Sequence, residues 1–169
     1  MVHSLSMLKI KRQVAEGRAL HLIDLENLCG GTRPSPGLVA AIEAAYRLSA
    51  PVGPMDQTVL GTSEAAARAM YFNWGGPARW VHRSGPDGAD LKLLEVLEQE
   101  QVVGRFGRVV IGSGDGVFAD CVGYLQQLGV QVTVVCGHGA LSKRLQFAAR
   151  EVVQLHFPSL QATQMAVAA

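Results

Sequence analysis

Acidic residues that directly follow apolar segments are the strongest chemical signal in this sequence. Asp24 ends an apolar run at residues 19–23, Asp90 begins a helix-like stretch, and Asp115 lies in the glycine-rich turn GSGDG. Carboxylates that are brought together without enough Lys or Arg repel one another, and a bound hard cation relieves that repulsion. Oxygen ligands favour Mg²⁺ or Mn²⁺, which can activate water and hold a phosphate oxygen. The three residues are therefore candidate metal ligands and catalytic groups for phosphodiester hydrolysis.

Further polar residues adjoin these three acids in the sequence. Asp120 lies in the first turns of the helix that follows Asp115 and is a fourth candidate catalytic acid. Glu26 and Asn27 follow Asp24 directly, and Ser113 precedes Asp115 by two residues. We expect these three side chains to support and orient the ligands. Asp87 is interpreted as a turn or cap residue, because Asp before a helix commonly has that role.

The elements that must position these residues alternate between strand-like and helix-like segments. Strands are predicted at residues 19–23, 57–60, 79–82, 109–111 and 130–135, with a short sixth at 152–153. Helices are predicted at residues 36–48, 63–70, 87–97 or 90–97, 118–128 and 141–149. This alternation is typical of a three-layer α/β/α, Rossmann-like domain with a mostly parallel sheet, for which we expect the order 3-2-1-4-5. Adjacent first and fourth strands would place Asp24 and Asp115 in one crevice at the carboxyl ends of the strands.

Two sets of residues are expected to form the hydrophobic core. One is an apolar stripe on the helix after Asp90, made of Leu91, Leu94 and Leu97, with Lys92, Glu95 and Glu98 facing outward. The other set lies in the central strands and in the predicted helix at residues 118–128: Leu22, Val110, Phe118, Leu125 and Val134.

Length and composition indicate one globular domain. The chain has 169 residues, of which 49% are hydrophobic, and a formal net charge of +1, so a nucleic-acid contact would need a local basic patch. We expect a basic N-terminal arm at residues 1–18, the domain at residues 19–157 and a flexible tail at residues 158–169. Three widely spaced cysteines and the absence of a secretory signal or a membrane-spanning run indicate a cytoplasmic protein without a membrane partner.

Four blocks of sequence resemble the successive motifs of NYN domains, a branch of the PIN-like nucleases. They are HLIDLENL (residues 21–28), GADLKLLEVL (88–97), VVIGSGDGVFADCVGYLQQLGVQVTVV (109–135) and GALSKRLQFAA (139–149). The resemblance implies a PIN-like fold and metal-dependent ribonuclease activity. Asp24 and Asn27 match the first-strand Asp and Asn of the family, Asp90 the helix-start Asp, and Asp115 the Asp of the SGD turn beside Ser113.

The expected partner is therefore an RNA substrate, and a homodimer is compatible with the sequence. Basic residues near the predicted site are candidate RNA contacts: Arg33, Arg83, Lys143 and Arg144. Trp74 and Trp80 flank a Gly-Gly-Pro loop and are interpreted as either base-stacking residues or anchors of that loop.

Two other functions are open at the level of sequence. Many relatives carry a second acid two residues after the SGD aspartate, where this chain has Val117, which favours a catalytically degenerate module that binds RNA or protein. In outline, Asp24, Thr62, Lys92 and Asp115 also resemble the motifs of haloacid-dehalogenase-type phosphatases, which attack phosphate with the first Asp. Glu26 and Leu28 depart from that second pattern.

Overall fold

The computed structural model describes residues 17–137 and 141–157. These residues form a six-stranded, all-parallel sheet in the order β3-β2-β1-β4-β5-β6. The strands are β1 (Ala19–Asp24), β2 (Gln57–Thr62), β3 (Arg79–His82), β4 (Arg108–Gly112), β5 (Gln131–Cys136) and β6 (Glu151–Gln154). The helices are α1 (Leu25–Cys29), α2 (Pro36–Ser49), α3 (Glu64–Tyr71), α4 (Gly88–Gln99), α5 (Ala119–Gln127) and α6 (Lys143–Ala148). The predicted α/β fold and strand order are confirmed, and the short sixth strand extends the sheet beside β5.

The sheet is covered on both faces because successive strand residues point to opposite sides. Leu20 and Leu22 of β1 belong to the core beneath α4, α5 and α6, whereas Ile23 belongs to the core beneath α2 and α3. The residues predicted to be buried in the central strands and in the helix at residues 118–128 are all buried: Leu22, Val110, Phe118, Leu125 and Val134. The three-layer arrangement follows from this double burial.

Helix α4 begins before Asp90 and buries a stripe that differs in part from the one predicted. Its N-cap is Asp87, which has a φ of 53° and makes no side-chain capping hydrogen bond. Leu93, Val96 and Leu97 are buried, while Leu91 is 37% exposed and faces outward. Of the predicted stripe, Leu97 is buried and Leu94 packs against the core, whereas the prediction for Leu91 was wrong. The helix is rotated so that Asp90 as well as the apolar residues faces the sheet.

Parts of the predicted domain organisation fall outside the described residues. These are residues 1–16 of the N-terminal arm, residues 138–140 and the tail from residue 158 onward. Within the described part of the chain, no helix combines the length and the apolar character that crossing a bilayer requires.

The start of α4 is held against the loop after β3 by a glycine. A Cβ added at Gly88 would lie 2.3 Å from the backbone oxygen of Arg83, which is too close for any side chain. Hydrogen in place of a side chain therefore lets the helix begin at this point and sets the position of its first turn.

We predict that Gly88→Ala lowers the free energy of unfolding by about 1–3 kcal/mol, because the added methyl group displaces backbone and not a flexible side chain. Gly123→Ala is the matched control. Gly123 also lies in a helix, but no heavy atom is within 4 Å of its Cβ position, so this change should be neutral or stabilise by up to about 1 kcal/mol. Urea unfolding of both variants measures the difference, and equal effects would contradict the steric explanation.

A buried polar network fixes the amino end of β1. His21 is fully buried, with Nδ1 2.9 Å from the Tyr46 hydroxyl and Nε2 3.3 Å from Asp56 Oδ2. Asp56 also accepts hydrogen bonds from the backbone amides of Ala19 and Gly53, both at 2.7 Å. Burial lowers the pKa of His21, although the hydrogen bond and the charge of Asp56 act in the opposite direction.

We predict that His21 makes the fold less stable in mild acid. Since folded His21 binds a proton less readily than unfolded His21, its contribution is complete above the unfolded pKa of about 6.5 and falls as the pH drops below that value. The stability difference between wild type and the less stable His21→Gln variant should therefore narrow by about 1 kcal/mol between about pH 7.5 and pH 5.5. A pH-independent difference for His21→Gln would refute the prediction.

Candidate functional site

Asp24 occupies the junction between β1 and α1, at the carboxyl edge of the sheet. Its Oδ1 accepts a hydrogen bond from the backbone amide of Asn27 at 3.1 Å, so the side chain also caps the short helix. Ser113 donates to its other oxygen, Oδ2, over 3.4 Å. Only 4% of Asp24 is exposed. Strand β1 therefore places the Asp24 carboxylate at the edge of the sheet, where the Asn27 amide in α1 binds it.

Asn27 and Ser113 join the loops after β1 and β4. The Asn27 side-chain oxygen accepts a hydrogen bond from the Gly114 amide at 2.8 Å, and Ser113 Oγ accepts one from the Asp115 amide at 3.2 Å. Ser113 is fully buried. Both residues thus fix the turn that carries Asp115 relative to Asp24.

Asp90 lies in the first turn of α4, is 6% exposed and forms a carboxyl pair with Asp24. Burial, the hydrogen bond to Asp24 and the charges of Asp24 and Asp115 together raise the pKa of Asp90 to about 8. Burial also raises the pKa of Asp24, although hydrogen bonds with Asp90, Asn27 and Ser113 lower it. No Lys or Arg is among the main influences on either pKa. The pair therefore retains a proton at neutral pH when no cation is bound.

Asp115 is the third predicted acid, and it is half-buried at the start of the turn after β4. Its Oδ1 accepts a hydrogen bond from the Val117 amide at 2.9 Å, which caps the 3-10 turn Gly116–Phe118. Its charge is among those that raise the pKa of Asp90. Even so, within residues 17–137 and 141–157 no three His, Cys, Asp or Glu side chains are grouped closely enough to hold a metal ion. The structure thus brings Asp24 and Asp90 together, with Asp115 beside them but outside a three-ligand cluster.

Glu26 faces the neighbouring strand β2. Its Oε1 accepts a hydrogen bond from the Thr62 hydroxyl at 2.8 Å and a short one from the Ser63 amide. Its charge raises the pKa of Asp24. Glu26 therefore adds negative charge to the site while its carboxylate fixes the start of α3. The sequence did not indicate this contact, because it depends on which strand lies next to β1.

The structure places Asp120 and two of the predicted RNA contacts in exposed ion pairs. Asp120 binds Arg144 at 2.6 Å, and its side chain is 83% exposed, so it lies outside the buried acid pair. Arg83 binds Glu95 at 2.7 Å, and Glu95 also binds Lys92 at 2.6 Å. Exposed ion pairs of this kind contribute little stability, so Arg83 and Arg144 can exchange these partners for phosphate.

The other two predicted RNA contacts are also exposed. Lys143 begins α6 beside the turn after β4, because the Ser142 amide donates to the Gly114 oxygen at 2.9 Å. Arg33 lines an open groove of about 590 Å³ in the loop between α1 and α2. Arg33 and Arg83 therefore lie in two different loops, and Lys143 and Arg144 lie at the start of α6.

Comparison with known proteins finds no matching family model and no matching curated protein. Among solved structures, the chain is similar to a protein of unknown function from Vibrio parahaemolyticus, seen in a crystal structure. The two align with a TM-score of 0.53 and 17% sequence identity, over 82% of this chain and 93% of that chain. At this level of identity the likeness concerns the fold, and it agrees with the α/β architecture described above.

Proposed function

We propose that this protein is a metal-dependent ribonuclease of the NYN, PIN-like type, in which Asp24 and Asp90 bind Mg²⁺ or Mn²⁺. The observation that carries the proposal is the buried carboxyl pair at the carboxyl edge of β1, which lacks a neutralising Lys or Arg among its main electrostatic influences. Two carboxylates buried side by side are costly, and a divalent cation compensates for that cost.

The atoms of the pair suit a hard cation. Asp90 Oδ1 is buried, and no hydrogen-bond donor among the described residues reaches it. An oxygen without a donor is a poor group to bury but a suitable metal ligand. Mg²⁺ commonly uses one or two protein carboxylates and completes its octahedron with water and substrate phosphate, so a two-carboxylate site is sufficient.

The side chains around the pair have distinct roles in this proposal. The bound metal would polarise a phosphate oxygen and lower the pKa of a bound water. Asn27 and Ser113 hold the two loops in register, and the less buried Asp115 is open to solvent at the same edge. Lys143 and Arg144 begin α6 next to that turn, where they can contact the RNA backbone.

Two contacts disfavour the phosphatase alternative. Such an enzyme would direct Thr62 and Lys92 at the phosphate, but Thr62 donates to Glu26 and Lys92 pairs with Glu95. The two mechanisms also differ chemically, because the phosphatase forms an aspartyl phosphate at Asp24 whereas the nuclease activates water. Mass spectrometry of protein incubated with phosphomonoester substrates separates them, and phosphate on Asp24 would overturn our proposal.

We predict that Asp24→Asn and Asp90→Asn each abolish metal-dependent cleavage of single-stranded RNA while the fold is retained. Asn is neutral without binding a proton, so Asp90→Asn avoids the cost of keeping a buried carboxyl group protonated and should stabilise the metal-free protein by on the order of 1 kcal/mol or more at neutral pH. This advantage should grow from about pH 5 to pH 8, because the raised pKa of Asp90 costs stability only where unfolded Asp90 is ionised. Cleavage assays and urea unfolding in EDTA provide the two measurements.

Glu98→Gln is the matched control for charge removal, since Glu98 lies on the exposed face of the same helix. It should cleave RNA like wild type, and added metal should stabilise it as much as it stabilises wild type. An Asp90→Asn variant that keeps full activity, in preparations cleared of contaminating ribonuclease, would refute the assigned site. If wild type binds RNA in a salt-dependent manner and never cleaves it, the degenerate binding module replaces the nuclease.

We further predict that metal affinity increases with pH. The pair must release its proton before a cation binds, and the pKa of Asp90 is raised to about 8. Titration with Mn²⁺, followed by electron paramagnetic resonance, should therefore show an affinity that rises between about pH 6.5 and pH 8.5 and then levels off. In Asp90→Asn the residual affinity should vary much less with pH. A pH-independent affinity of the wild-type protein would mean that the metal binds elsewhere.

A further inference from the structure

An exposed aromatic groove lies beside the edge strand β3. It has a volume of about 590 Å³ and is lined by Thr62, Ala67, Arg68, Tyr71, Phe72, Trp80 and His82. Phe72 is 83% exposed and Tyr71 is 54% exposed. Neighbouring aromatic side chains are rarely this exposed to water, and such patches commonly mark binding sites.

Three aromatic rings follow one another along this groove. The Tyr71 ring is 5.2 Å from the Trp80 ring and 5.4 Å from the Phe72 ring, measured between centroids. Trp80 is half-buried and fixes the row to the sheet, whereas Trp74 is buried against Tyr46 and serves the core. Exposed rings held in this way offer faces and edges against which planar groups can stack.

The groove reaches the carboxyl edge of the sheet, where the acid site also lies. Thr62 is the last residue of β2 and lines the end of the groove at this edge. Its hydroxyl group donates a hydrogen bond to Glu26, whose charge raises the pKa of Asp24. His82, also in the lining, pairs with Thr62 at the carboxyl ends of β3 and β2. Since β1 and β3 are separated by one strand, the mouth of the groove is roughly 10 Å from Asp24 along the edge of the sheet.

The charges of the groove favour a polyanion that carries planar rings. Arg68 and His82 are exposed in the lining, and neither forms an ion pair with another described residue. An apolar row of rings with an unpaired guanidinium combines base stacking with phosphate contact, which is the pattern of single-strand binding surfaces. A duplex hides its base faces, so only unpaired nucleotides can use such a row.

We propose that this aromatic groove is a binding site for unpaired bases of the RNA, outside the acid site. The inference rests on the proposed ribonuclease function, and it assigns to Tyr71, Phe72 and Arg68 a binding role separate from catalysis. The RNA strand leaves the groove at Thr62 and His82 and continues along the edge of the sheet toward Asp24.

Binding can be measured without cleavage in the Asp24→Asn protein with EDTA present. The probe is a short fluorescein-labelled oligouridylate, followed by fluorescence anisotropy at fixed ionic strength. Phe72→Ala and Tyr71→Ala should each weaken binding by about ten-fold, because each removes a stacking contact. Tyr124→Ala is the matched control, since Tyr124 is a 62% exposed aromatic residue on α5, on the other face of the sheet, and should leave the affinity unchanged.

A second readout uses the tryptophans. Binding of oligouridylate should quench the fluorescence of Trp80, and Trp80→Phe should remove most of that quenching, whereas buried Trp74 should not respond. A blunt RNA duplex of the same length should bind with an affinity that Phe72→Ala does not change. The proposal would be overturned if Phe72→Ala lost equal affinity for the duplex and the single strand. It would also be overturned if Phe72→Ala bound the single strand with wild-type affinity, and the groove would then be a surface for a protein partner.

The two proposals fail in different ways. If wild type cleaves RNA but Phe72→Ala keeps both its affinity and its kcat/KM, the groove proposal is wrong and the nuclease stands. If no protein cleaves RNA but single-strand binding still depends on Phe72 and Tyr71, the groove proposal is supported and the nuclease is wrong.

Discussion

The close approach of two buried carboxyl groups, Asp24 and Asp90, is the constraint around which the carboxyl edge of the sheet is organised. Each group loses hydration on burial, and the hydrogen bond and charge of Asp24 raise the pKa of Asp90 further. A fold tolerates such an arrangement only if surrounding contacts hold it in place. Here β1 supplies one carboxyl group and the first turn of α4 supplies the other, so sheet and helix must dock accurately for the pair to form.

Small residues allow the backbone around this pair to pack closely. A Cβ at Gly116 would lie 2.6 Å from Ser142 Oγ, and one at Gly137 would lie 2.8 Å from the Leu28 oxygen. The turn after β4 therefore packs closely against Ser142, and the residue after β5 packs against the backbone of α1. Together with the Asn27 bond to the Gly114 amide, these contacts make the edge a rigid frame in which the carboxyl pair cannot relax apart easily.

The sequence predicts those parts of the site that depend on strand ends, and it predicts less where helix orientation matters. Asp24 and Asp115 could be placed because a buried parallel strand directs its last residue to a known edge. Leu91 could not, because spacing alone does not decide that Leu93 and Val96, and not Leu91, face the sheet. Asp120 lies on the outer side of α5, where periodicity alone does not separate a site residue from a solvated charge.

The two edges of the sheet have a consequence for self-association. Both edge strands, β3 and β6, have only four residues, and β6 begins with Glu151, whose carboxylate accepts a hydrogen bond from Thr133 at 2.6 Å. Short edges that carry charge are poor templates for an additional strand. A second copy of the chain would therefore gain little by extending the sheet, and a homodimer would be better built from helix surfaces, which would leave the carboxyl edge of both copies open.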